Sequence, residues 1–236
     1  MKKNKHIYIK KICDHGDREV WLVDGAMVRR DLNDDFVESG CHIWGDYIPK
    51  NEIWIEKDTD ENEWKYFLKN IDVEEKYLAE GKTIEESSKK ADAVEEKDRR
   101  RKSRIQKILE SRNKNKEALE KIHKHKLEKY STEYIDVWLV NGEIIRGIYG
   151  LEYGFGGHGF VYHFVPKNEV WIEEVLDPHE RKIILLHELH ERILMAQEGK
   201  DYLSAHHGAT IVEMHYRKNP EGLDARLLEE INKNNF

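Results

Sequence analysis

The chain is poor in several features that usually guide a first reading. It has 2 cysteines, Cys13 and Cys41, in 236 residues. That is too few for a disulfide framework, so a reducing, cytoplasmic setting is expected. Neither cysteine has a local His/Asp pattern, and both read as inert. No stretch approaches the roughly 18 apolar residues of a membrane span, so no membrane partner is expected. The segment Met1 to Lys11 carries Lys2, Lys3 and Lys5 but no apolar run and no small-residue cleavage site, and it reads as no signal peptide. Between Thr83 and Tyr153 the only helix-breaking residues are Gly142, Gly147 and Gly150.

What the chain has in quantity is charge. Charged residues make up 37%, the formal net charge is −7 and the mean hydropathy is −0.83. The 39% hydrophobic fraction, with 6 Trp and 11 Tyr, still supports packed cores. The negative balance weighs against a general nucleic-acid binder, although local distribution matters more than the sum.

The strongest internal signal is a repeat. Val20-Trp21-Leu22-Val23-Asp24-Gly25 recurs 117 residues later as Val137-Trp138-Leu139-Val140-Asn141-Gly142. Pro49-Lys50-Asn51-Glu52-Ile53-Trp54-Ile55-Glu56 recurs at the same offset as Pro166 to Glu173, and Asp60 and Glu63 match Asp177 and Glu180. Glu80-Gly81-Lys82 matches Glu198-Gly199-Lys200 at 118, so one residue is gained between the blocks. Asp24-Gly25 and Asn141-Gly142 have hairpin form, with second strands expected through Met27-Val28 and Ile144-Ile145. Asp60 with Glu63, and Asp177-Pro178 with Glu180, have helix-start form. Gly81 and Gly199 suit helix ends, and Thr83 with Glu86, and Asp201, suit the next starts. The expected class is therefore α+β, a tandem duplication of a small antiparallel β-sheet plus a helical hairpin. The expected division is copy one at 1–98, a charged helical connector at 99–131 and copy two at 132–236.

The connector predicts one long helix running from Thr83 to about Glu128. Arg99 to Lys126 holds 12 Lys or Arg against 3 Glu, which fits either a nucleic-acid contact or a solvated strut. Ile105, Ile108, Leu119 and Ile122 form a thin apolar stripe able to dock on a neighbour. The absence of interleaved aromatic or Gly-rich segments favours the strut.

Copy two carries the candidate chemistry. In Ile183-Ile184-Leu185-Leu186-His187-Glu188-Leu189-His190-Glu191, helical spacing projects His187 and Glu191 from one face, with His190 one turn away. After the Gly199 turn, His206 and Glu213 are seven apart and share a face. Antiparallel packing of the two helices brings two imidazoles and two carboxylates together, a set suited to Zn, Fe or Mn, with room for a second metal. In the Gly-rich segment Tyr153 to Gly159 and the strand after it, His158 and His163 are candidates for extra ligands. His158 also serves, with Arg146 and Tyr162, as a candidate for substrate binding. The repeat offset sets His187, Glu188, Glu191, His206 and Glu213 against Asn70, Ile71, Glu74, Ser88 and Glu95. Copy one thus keeps the carboxylate positions and lacks both histidines and Glu188.

His187-Glu188-Leu189-His190-Glu191 resembles the zincin active-site string His-Glu-x-x-His, with Glu191 standing where the second His would be. The resemblance covers about thirty residues of the chain. It implies that His187 and Glu191 are metal ligands, that His206 is the downstream third ligand, and that Glu188 is a general base acting on metal-bound water. The expected function is then a metal-dependent hydrolase of peptides or amides, with a divalent cofactor, Zn first, and with Glu213 as either a fourth ligand or a carboxylate that orients a histidine. Two alternatives stand beside it. One is a non-catalytic, metal-stabilised protein-interaction module presenting Trp21, Trp54, Trp138 and Trp171. The other is nucleic-acid binding through the basic connector.

Overall fold

A computed structural model describes residues 6–236, so the part of the N-terminal reading that rests on Met1 to Lys5 lies outside the described residues. The α+β duplication holds. In the first repeat β1 (Tyr8–His15), β2 (Arg18–Val23), α1 (Gly25–Asp31), β3 (Ser39–Cys41), β4 (Glu52–Glu56), α2 (Trp64–Ala79) and α3 (Ile84–Arg100) follow one another. Next come α4 (Ser103–Glu110) and α5 (Lys114–Ile122). The second repeat runs β5 (His123–Lys126), β6 (Asp136–Val140), α6 (Gly142–Ile148), β7 (Gly156–His158), β8 (Glu169–Glu173), α7 (Pro178–Ala196) and α8 (Tyr202–Lys218), and α9 (Leu223–Lys233) follows.

The two sheets have the same strand order, β1-β2-β4-β3 and β5-β6-β8-β7. Even the register repeats: Trp21 pairs with Trp54, and Trp138 with Trp171. These central pairs are parallel, which corrects the expectation of antiparallel sheets. A parallel neighbour needs a crossover connection, and a two-residue turn cannot supply one. Accordingly Asp24-Gly25 and Asn141-Gly142 open helices α1 and α6 where hairpins were expected. Met27-Val28 and Ile144-Ile145 were too short an apolar signal to separate helix from strand.

The helix signals fared better. Asp177 accepts from the backbone of His179 and Glu180, with Pro178 in the first turn. Thr83 and Glu86 form a reciprocal capping box, and Asp201 accepts from Ser204 N–H. Gly81 and Gly199 take positive φ of 85° and 65°. Asp60 does not cap α2, which begins after Glu63 without a side-chain cap.

The expected long helix is broken into α3, α4 and α5. The reason is geometric. The buried face of α3 runs through Ser87, Ala91, Glu95 and Arg99. At 3.6 residues per turn, Ile105 and Ile108 would lie roughly 240° and 180° round from Arg99 in a straight helix. Both are buried, so the chain breaks near Lys102, in extended conformation, and rotates them inward. Much of the connector's charge is used internally. Arg99 pairs with Glu95 and Glu63, Lys102 and Arg104 with Glu143, and Lys126 with Asp136.

The compact units interleave along the chain. The first comprises residues up to Gly25, Phe36–Lys121 and Glu143–Glu152; the second comprises Ala26–Asp35, Ile122–Gly142 and Tyr153–Phe236. Nearly all of α1 therefore belongs with the second repeat, and nearly all of α6 with the first. In the first unit Val20, Cys41, Ile53, Ile55 and Ile71 form a core. In the second, the inner face of the sheet packs on Ile183, Leu186 and Leu189 of α7 and on Leu223, Leu227 and Ile231 of α9. Trp54 and Trp171 are buried, and Trp21 and Trp138 half-buried. Among the described residues no helix is long and apolar enough to cross a membrane.

Candidate metal centre

The centre is built in the second unit where α7 and α8 approach closely. A Cβ on Gly208 would lie 2.7 Å from Leu194 Cδ1, so glycine permits the approach. His187 and Glu191 leave α7 on one face. His206 comes from α8. One ligand atom from each lies within 4.8 Å of the others. His206 Nδ1 is 2.8 Å from Glu191 Oε2 and 3.1 Å from His187 Nε2, and His187 Nε2 is 3.5 Å from that same oxygen. Two imidazole nitrogens and one carboxylate oxygen converge here. Three protein ligands are the number that a catalytic zinc site uses, leaving a position for water or substrate. His206, at 38% side-chain exposure, is the solvent-facing member, whereas His187 and Glu191 are at 8% and 3%.

Two partners hold His187 and Glu191 from behind. Glu213 Oε2 lies 2.7 Å from Nδ1 of His187, the nitrogen away from the convergence point. A carboxylate in that place fixes the tautomer and orientation of a metal-binding histidine. Glu213, expected either as a fourth ligand or as a carboxylate that orients a histidine, has the geometry of the second. His158, at the end of β7 and fully buried, faces the other oxygen of Glu191, with Nε2 3.1 Å from Oε1. Its Nδ1 accepts from the Phe160 N–H at 3.2 Å, so the ring proton sits on Nε2 and is donated to Glu191. Burial keeps this ring neutral by lowering its pKa. His158 is therefore a holder of Glu191, a role that local spacing could not reveal because its partner is 33 residues away.

The electrostatics are consistent with this arrangement. Burial opposes charge on His187, but hydrogen bonds to Glu191 and Glu213 outweigh it and raise its pKa to about 10. Burial pushes Glu191 up, yet hydrogen bonds from His158, His187 and His206 leave it far below the ordinary carboxylate range. Burial also opposes Glu213, and His187 and Arg217 bring it down to about 2. Glu188 behaves in the opposite way. Burial, reinforced by the Glu191 charge, lifts it to about 8. Glu188 shares a possible ligand group with His158 and Glu191, and the proton on His158 Nε2 speaks against that nitrogen binding a metal.

Gly156 makes room for Glu188. A Cβ there would lie 2.8 Å from Glu188 Oε1 and 2.7 Å from Ile184 Cγ2. The Gly-rich segment is thus a close-packed wall beside the carboxyl group.

Four other expected residues lie elsewhere. His190 turns toward α9, with Nδ1 3.3 Å from Glu230, so it does not join His187. His163 is exposed and contacts Phe164. Tyr162 packs its ring on Tyr153 and Phe164, next to Gly157. Arg146 belongs to the first unit, where it bonds Glu63 at 2.6 Å and Glu38 at 2.9 Å; it is a buried structural cation there.

Arg146 has a counterpart 117 positions earlier. Arg29 bonds Glu180 at 3.1 Å in the second unit, as Arg146 bonds Glu63 in the first. Arg217 spans Glu180 and Glu213, as Arg99 spans Glu63 and Glu95. The same Arg–Glu–Arg–Glu chain is therefore present twice. Only in the second unit does it end on a histidine, His187. In the first unit Asn70 donates to Asp92, and Glu74 accepts from Trp44.

Compared with family models, with curated proteins and with solved structures, the chain matches none.

Proposed function

We propose that this protein is a metal-dependent hydrolase whose divalent ion, zinc first, is held by His187, Glu191 and His206. The observation that carries this reading is the convergence of two imidazole nitrogens and one carboxylate oxygen within 4.8 Å, backed by a carboxylate on the far nitrogen of His187. When bound, such an ion supplies Lewis acidity, acidifying a coordinated water and polarising a carbonyl. Glu213 and His158 keep His187 and Glu191 aimed. Glu188 supplies the acid–base group: raised to about 8, its pKa lies in the range where a carboxyl both takes and gives protons at neutral pH.

The same ligand trio also serves Fe(II) in other chemistry. Glu188 beside the trio favours hydrolysis, since metal-centred oxidation has no need of a carboxyl tuned for proton transfer. Peptide or amide substrates follow from the zincin resemblance of His187-Glu188-Leu189-His190-Glu191. The non-catalytic interaction module is less well supported, because Trp54 and Trp171 are buried and three converging donors are the number a catalytic zinc site uses.

The test is metal analysis of purified wild type, His187→Ala and His206→Ala, followed by a peptide and amide hydrolysis screen with Glu188→Gln. The expected result is metal in wild type that is lost in both histidine variants, and a Glu188→Gln protein that keeps its metal but loses turnover. Equally low metal in wild type and histidine variants under metal-replete conditions would sink the reading.

A further inference from the structure

The first unit lacks the histidines of the centre above, yet it gathers a different set of donors. Cys41 at the end of β3, His42 after it and Glu75 on α2 bring a sulfur, an imidazole nitrogen and a carboxylate oxygen within 4.8 Å of one another. Cys41 is fully buried. Two polar atoms on this cluster and its rim are buried without hydrogen-bond partners: Nδ1 of His42 and Oε1 of Glu74. Buried polar atoms are nearly always satisfied, so these two orphans call for a missing partner. The charges of Glu75 and Glu74 both reach the Cys41 thiol, which places Glu74 in the same neighbourhood. Arg18 takes one oxygen of Glu75, at 2.6 Å, and leaves the other for a ligand.

A hydrogen-bonding small molecule is a poor partner for a buried thiol. A borderline-soft divalent cation fits thiolate, imidazole and carboxylate together, whereas magnesium and calcium favour all-oxygen shells. We propose that Cys41, His42 and Glu75, with Glu74 beside them, hold a zinc-type ion in the first unit, separate in every ligand from the His187 centre. Its role is structural. Three donors converge, the unpartnered Oε1 of Glu74 on the rim is the candidate for the fourth that a closed structural shell uses, and the ion ties the three-residue strand β3 to α2. Binding deprotonates the Cys41 thiol and releases that proton to solvent. Under the repeat offset Cys41 stands where His158 stands in the second unit, so the two units use one strand end for different purposes.

The test is cobalt(II) loading of the full chain, read by stoichiometry and by the thiolate-to-cobalt charge-transfer absorption. Wild type, Cys41→Ser, His42→Ala and Cys13→Ser are compared, each also in a His187→Ala/His206→Ala background. The thiolate band is expected in wild type, in Cys13→Ser and in the double-histidine background. Cys41→Ser should abolish it, and His42→Ala should weaken cobalt binding at least tenfold. A band absent from wild type, or one that survives Cys41→Ser, overturns the proposal. The His187 centre has no sulfur donor, so the band reports this site in the otherwise wild-type chain even if the double-histidine variant fails to fold. For the same reason a failure here leaves the hydrolase reading untouched.

Discussion

Glu213 grips His187 from behind: its Oε2 lies 2.7 Å from the ring's Nδ1, while its Oε1 is held at 2.7 Å by Arg217. The ring is thereby fixed with Nε2 turned toward Glu191 and His206. Loss of such an outer carboxylate typically weakens a metal site about 10- to 100-fold. Glu213→Gln should show that loss of zinc affinity in competition with a chromophoric chelator, with near-native circular dichroism. Unchanged affinity would mean that Glu213 serves only the ion pair with Arg217.

Proton release on metal binding follows from the titration of His187. In the metal-free protein its pKa is about 10, because hydrogen bonds to Glu191 and Glu213 outweigh the cost of burial. The ring is an imidazolium at neutral pH, and a metal must displace its proton. Glu191, held low by its histidine neighbours, is already ionised and releases none. Metal affinity should therefore rise with pH across neutrality. Calorimetry in buffers of different ionisation enthalpy should show net proton release, and proton uptake or none at all contradicts the assignment.

Metal-free stability should run the other way. A histidine with a raised folded pKa contributes stability that is complete below its ordinary value of 6.5 and is lost as pH rises toward about 10. Glu188 acts in the same sense. Its folded pKa of about 8 exceeds its ordinary 4.5, so the native state binds more protons between those values and stability falls as pH rises through them. Urea midpoints of metal-stripped protein should decline from mildly acidic to mildly alkaline pH, and added zinc should flatten or reverse the trend. A metal-stripped protein that becomes more stable over that range contradicts both assignments.

Gly156 tests whether Glu188 needs its wall. Alanine there would drive a methyl group to 2.7 Å from Ile184 and 2.8 Å from Glu188 Oε1. Overpacking of this kind costs on the order of 1–3 kcal/mol. Gly156→Ala should lower the melting temperature, retain metal through His187, Glu191 and His206, and lose turnover more than metal. A variant that loses metal and keeps its melting temperature would show that the strain falls on the ligands.

Much of this was legible in the sequence because it is local. Asp177, Thr83 and Asp201 announce helix starts within three residues of themselves, and helical spacing alone paired His187 with Glu191. His206 was within reach because the Gly199 turn fixes which faces meet. Most of the misses are non-local. His158 reaches Glu191 through sheet topology, and Gly142 opens a helix because β6 and β8 are parallel, which no dipeptide reports. Arg146 was a candidate for substrate binding, but its guanidinium is buried against Glu63 and Glu38, 83 and 108 residues away in sequence. Ile105 and Ile108 were correctly placed on an apolar stripe, yet their angle relative to Arg99 forbids the single helix that the absence of Gly and Pro suggested.

The doubled ion-pair chain yields the last prediction. Glu180 is 1% exposed and lies between Arg29 and Arg217, both also buried; Glu63 takes the same place between Arg146 and Arg99. Removing one partner from a buried pair leaves uncompensated charge and costs about 3–5 kcal/mol. Glu180→Gln and Glu63→Gln should therefore each destabilise the protein by about that amount in urea unfolding, whereas Glu85→Gln, at the exposed Lys89 pair, should leave it unchanged. The two buried variants should differ in one respect. Glu180→Gln frees Arg217 to draw Glu213 away from His187 and so weakens zinc binding, while Glu63→Gln acts on a chain that ends at Glu95 and leaves zinc affinity at the His187 centre intact. Equal effects on zinc would show that the coupling through Arg217 does not reach the metal.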